Sequence, residues 1–152
     1  MNERLLKFTK TDLYKVASAI RGCDLAGIGL KRIFTARIRY LVDIYSTPTV
    51  VRRTPRVEWE DIKSAVAEIV ANCDDGLKRS AYYHYLDHVG GALEALRAYD
   101  LISVREYKFL IRLIVAFEHI MKEEMDYLCA TGYVKKMLEE FKEYIEGFPE
   151  VE

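Results

Sequence analysis

The sequence predicts an all-α protein, a single-domain bundle of about six helices with short turns and one proline-bracketed loop, residues 46–56. Three observations predict it. Apolar residues recur at three- and four-residue spacing along almost the whole chain, the period of a helix with one buried face. The interruptions are short and rich in glycine, aspartate and asparagine, which favour turns. The one stretch of extended character, between Pro48 and Pro55, reads as a connecting loop. With 152 residues, 51% of them hydrophobic, the chain is long enough for a core of its own.

The elements follow in order. A first helix starts at about Asp12, with Thr9 or Thr11 placed to cap it. "DLAGIG" reads as a break, because Gly27 and Gly29 disfavour helix interiors. A second helix runs from about Leu30 to Tyr45. A third spans about Val57 to Ala71, with Glu58, Glu60 and Asp61 in its first turn, where the helix dipole favours acids. A fourth covers about Lys78 to Tyr99. Ser103 and Glu106 form a capping box, S-x-x-E, that opens a fifth helix reaching about Cys129. "ATG" stops it near Gly132, and a sixth helix covers about Tyr133 to Ile145.

At about 100° per residue, the second helix buries Leu30, Ile33, Phe34, Ile38, Leu41, Ile44 and Tyr45. Arg32 and Arg39 lie opposite this face. Arg37 falls inside it, and a guanidinium there requires a partner. Glu124, within the apolar face of the fifth helix, is the expected one. Glu118, on the edge of that face, is the second choice.

Net charge is −1, but residues 1–56 carry 12 basic and 4 acidic residues, whereas residues 57–152 carry 11 and 20. The two parts are therefore +8 and −9. Such asymmetry marks an anionic partner, or attraction between the two parts themselves. The helix and loop residues Arg32, Arg39, Tyr40, Arg52, Arg53 and Arg56 form the candidate anion or nucleic-acid site. The arginines would meet phosphates and Tyr40 would stack on a base or guanidinium. A helix-turn-helix around Ser18, Gly22 and Ile28 is set aside, because Gly27 and Gly29 would fall in its second helix.

Enzyme chemistry finds little support. There is no GxSxG elbow and no glycine-rich phosphate loop. His84 and His88 are spaced i, i+4, a two-ligand zinc spacing, and His119 with Glu123 repeats it. On the wheel, His84 points away from its apolar stripe, His88 flanks it, and His119 lies opposite the core face. No metal and no cofactor is therefore expected. Glu123-x-x-Asp126 and the acids Glu139, Glu140 and Glu143 superficially resemble the motifs of all-α nucleoside-triphosphate pyrophosphatases, in reversed order. Both sets face away from their stripes, as a solvated charged surface does. Three cysteines, with no CxxC pair, fit reduced and mostly buried thiols in a cytoplasmic protein. No apolar run is long enough to span a membrane.

The expectation is a non-enzymatic regulatory or adaptor protein that contacts nucleic acid or an acidic protein through its basic N-terminal third. A metal-dependent helical hydrolase or metalloprotein is the alternative. A protein-only adaptor or homodimer is the second alternative, with the small face Gly91, Ala95 and Ala98 of the fourth helix as its seam.

Overall fold

Thr9 opens the first helix of the computed structural model, which describes residues 8–22, 26–46 and 55–146. Its side chain accepts the Asp12 N–H, and the Asp12 carboxylate accepts the Thr9 N–H, both at 3.1 Å. This reciprocal cap satisfies backbone donors that the first helical turn leaves open. α1 (Lys10–Arg21) ends at Gly22, whose φ of 65° lies where a side chain would be strained. α2 is a continuous run in three parts: an α-helical turn (Gly27–Leu30), a π-helical turn (Lys31–Thr35) and an α-helix (Ala36–Ser46). α3 (Trp59–Ala71), α4 (Gly76–Ala98), α5 (Val104–Glu123), α6 (Tyr127–Glu140) and α7 (Lys142–Glu146) complete the bundle.

α1 lies along α4, the first turn of α2 against α3, and α4 against α5, while α3 also meets α5 and α6. Phe34, Tyr82, Leu86, Leu93, Phe109 and Phe117 are fully buried where these helices converge. Phe34 and Phe117 meet edge to face, with centroids 6.1 Å apart and planes at 89°, a favoured aromatic geometry. Among the described residues no helix is long and apolar enough to cross a membrane.

Four local expectations are corrected. First, "DLAGIG" is not a break throughout, because Gly27 and Gly29 belong to α2. A Cβ on Gly29 would lie 2.6 Å from the Asp61 carbonyl and 2.7 Å from the Ala65 nitrogen. Glycine is there so that α2 can touch the α3 backbone. The ground for setting aside a helix-turn-helix therefore fails. The start of α2 is nonetheless docked on α3, with Ala26, Gly29 and Leu30 buried, rather than presented to a groove of DNA.

Second, α5 stops at Glu123, before Cys129. Glu124 takes a left-handed conformation (φ 52°), and Asp126 caps α6 by accepting the Cys129 N–H at 2.8 Å. An aspartate makes a better N-cap than interior residue. The break turns Leu128 out of the α5 stripe to 79% exposure and leaves Gly132 inside α6. Third, the cysteines are not mostly buried: Cys73 is half-buried and Cys129 exposed, while Cys23 lies outside the described residues. Fourth, the small face of α4 is not left open for a second copy. α1 covers it, with the Lys15 stem 3.0 Å from where a Gly91 Cβ would stand. Ala95 is buried, and only Ala98 of the three is exposed.

Candidate anion-binding groove

The π-helical turn is where three helices are tied together. Thr35 Oγ1 donates to the Ala19 carbonyl of α1 at 3.1 Å and lies 2.5 Å from the Tyr85 hydroxyl of α4. Tyr85 Oη also donates to the Leu30 carbonyl at 3.4 Å. Side chains that reach into a helical ladder widen it, and π-turns concentrate at functional sites. Here the turn fixes the C-terminal end of α1 beside the middle of α2.

A groove of about 640 Å³ results, lined by Ile20 and Arg21 of α1, by Ile28, Lys31, Arg32, Thr35, Ala36, Arg39 and Tyr40 of α2, and by Pro55. Among the described residues its charged lining is basic: Arg21, Lys31, Arg32 and Arg39. Arg32 and Arg39 are exposed and seven residues apart on one helix, about 10 Å along its axis. Arg21 sits in the last turn of α1, where the helix dipole favours a cation. Among the described residues an acid of α3, Asp61, meets the lining residue Arg32, with its carboxylate 3.4 Å away.

The structure thus brings together Arg32 and Arg39 of the sequence-derived set. Arg56 is exposed one residue beyond the lining Pro55, and Arg52 and Arg53 lie outside the described residues. Tyr40 does not serve as an exposed stacking platform. It is 5% exposed, and its ring centroid lies 4.7 Å from the Arg37 guanidinium carbon. Arg21 and Lys31 were missing from the set. Arg21 belongs to another helix, the end of which packs beside α2.

Arg37, 4% exposed, forms a forked ion pair with Glu106, Nη2 to Oε2 at 2.6 Å and Nε to Oε1. The expected pairing with Glu124 is incorrect, as is that with Glu118. Glu124 follows the end of α5, is exposed, and meets Arg79 at 3.4 Å. Ser103 does cap α5, accepting the Glu106 N–H at 3.1 Å. The Glu106 carboxylate turns inward to Arg37.

Elsewhere the histidines stay apart. His84 lines an open depression with Arg79, Tyr83, Asp87 and Glu118. His88 meets the edge of Tyr14, with centroids 6.2 Å apart, and His119 lies against Tyr133 at 5.3 Å. Among the described residues no three of His, Cys, Asp or Glu converge as a metal site would require. Burial, and then the charge of Asp87, push the Glu118 carboxyl above its ordinary value. The N–H of Cys129 holds Asp126 below the usual carboxylate value, and Asp126 in turn pushes the Cys129 thiol up, away from the reactive thiolate.

No protein-family model matches the chain, and comparison with curated proteins and with solved structures finds no match.

Proposed function

We propose that the protein is a non-enzymatic helical binding module whose basic groove takes the phosphate backbone of nucleic acid with little dependence on sequence. One observation carries the reading. Arg21, Lys31, Arg32 and Arg39, from two helices locked together at the π-turn, line a single groove in a chain of net charge −1. Cations concentrated in this way on a nearly neutral protein favour a multiply charged anion. Arginine forks and a lysine point charge both suit phosphate. Four phosphate contacts are within the reach of these residues.

Binding of this kind is driven by counterion release. The slope of log affinity against log salt for duplex DNA is then expected near −4. Fluorescence anisotropy with labelled duplexes of unrelated sequence, titrated at several salt concentrations, tests it. Similar affinity for all sequences with that slope supports the reading. Absence of binding at low salt to both duplex and single strands removes it, and the groove is then a docking surface for an acidic protein.

A further inference from the structure

We infer that Asp61 is a built-in counterion for Arg32, so that the groove exchanges an internal carboxylate for a partner's phosphate and selects extended polyanions over isolated anions. This rests on the proposed phosphate-binding reading and adds the ligand class to it.

The pair is unequal. The Arg32 side chain is 67% exposed and the Asp61 side chain 13%, with Nη1 and Oδ1 3.4 Å apart. Asp61 is held from behind, since Gly29 lets the α2 backbone lie directly against the Asp61 carbonyl and the Ala65 nitrogen. The carboxylate therefore sits on an anchored backbone and is the more buried member of the pair, whereas the arginine is the long, exposed one.

An anion captured by Arg32 replaces one ion pair with another and leaves the largely buried Asp61 carboxylate without its guanidinium, so the exchange by itself brings no gain. A single phosphate gains little from it. A polyanion gains because Arg21, Lys31 and Arg39 meet its other phosphates in the same event, and each contact releases condensed counterions. Asp61, once uncovered, attracts a cation back from solution. It therefore weakens binding and makes the salt dependence shallower than the number of contacts alone would give.

Asp61→Asn tests this, with Glu60→Gln as its charge-matched control. Glu60 is the preceding residue of α3 and pairs with Lys63 at 3.8 Å, so its neutralisation leaves the Arg32–Asp61 pair intact. Both proteins, checked for folding by circular dichroism, are titrated with a labelled duplex over a range of salt. Asp61→Asn is expected to bind about two- to five-fold tighter at low salt, the scale of one exposed ion pair. Its salt slope is expected to steepen by up to about 0.9. Glu60→Gln is expected to match wild type, and inorganic phosphate to compete no better than chloride at equal ionic strength. In an Arg32→Gln background, Asp61→Asn is expected to change nothing, because Asp61 acts through Arg32.

Equal gains in Asp61→Asn and Glu60→Gln, a loss of affinity in Asp61→Asn, or a gain that persists without Arg32 would each overturn the role of Asp61. So would displacement of the duplex by inorganic phosphate beyond its ionic-strength effect. Wild-type protein that binds no duplex at any salt removes the phosphate-binding reading itself. Wild-type binding with no gain in Asp61→Asn removes only the counterion.

Discussion

On the outer face of α2, the Arg32 side chain is 67% exposed and meets one carboxylate at 3.4 Å. On the inner face, five residues on, the Arg37 side chain is 5% exposed, grips Glu106 with two nitrogens and lies over the Tyr40 ring. The residue type and the helix are the same, and solvent makes the difference. Water screens the outer pair, so its contribution to stability is about 0–1 kcal/mol and Arg32 can change partners at little cost. The inner pair has given up its hydration, and either charge left alone there would be severely penalised. A charged residue on a helix is thus available to a partner in proportion to its exposure, whatever its count in the composition.

The inner face gives the largest expected effect. Arg37→Ala leaves Glu106 buried without its guanidinium and should destabilise the fold by about 3–5 kcal/mol, measured by urea unfolding. Replacing both residues, Arg37→Met with Glu106→Leu, removes both charges together and should recover most of that loss. An Arg37→Ala protein that unfolds at the wild-type urea concentration would mean that the inner face is no more costly to disturb than the outer one.

Much of this comparison was legible in the sequence. The helical wheel alone put Arg37 in the apolar stripe and Arg32 and Arg39 outside it, because side-chain direction follows from helical spacing whatever the tertiary fold. The partner of Arg37 was not legible. Ser103 and Glu106 matched a local capping pattern, and that match concealed the long-range role of the Glu106 carboxylate. Glu124 was placed on the wheel of a helix that stops one residue earlier, at a break that a short polar run marks only weakly. The π-turn was also invisible, as was the contact there between Thr35 and Tyr85, which are 50 positions apart in the sequence. Arg21 was missed for the same reason: which helix ends lie side by side is a property of packing.

A smaller effect is expected on the outer face, and it separates stability from binding. Arg32→Ala should change unfolding free energy by no more than about 0.5 kcal/mol, as for most surface substitutions. It should nonetheless flatten the salt dependence of duplex binding by up to about 0.9, one phosphate contact. A change in stability comparable to that of Arg37→Ala would erase the distinction between the two faces. An unchanged salt slope would take Arg32 out of the groove's work.

Glu118 extends the comparison to a carboxylate that is half-buried and, among the described residues, forms no salt bridge. It lies on α5, facing Asp87, His84 and Arg79 of α4 and bordering a second depression that Lys15 of α1 also lines. Tyr83 adds a hydroxyl that donates to the Glu118 backbone carbonyl at 3.5 Å, which leaves the carboxylate itself uncompensated by that bond. Burial first, and Asp87 second, raise its pKa above the ordinary 4.5. The folded protein therefore holds this proton more tightly than the unfolded chain does. The stabilisation from that preference is fully present below the unfolded carboxyl's range and is lost as pH rises through the folded value. At neutral pH the ionised side chain works against the fold. Glu118→Gln should accordingly match or slightly exceed wild-type stability at pH 7, by at most about 0.5 kcal/mol. The difference between the two proteins should shift in favour of the variant as pH rises from the acid range to neutrality. Asp87→Asn should remove part of the same pH dependence and less of it, since its charge is the smaller cause. Urea unfolding of the three proteins across that pH range measures both. If Glu118→Gln lost ground relative to wild type as pH rose, the carboxylate would have to be stabilised in its charged form, and Lys15 or Arg79 would be its effective partner in place of Asp87.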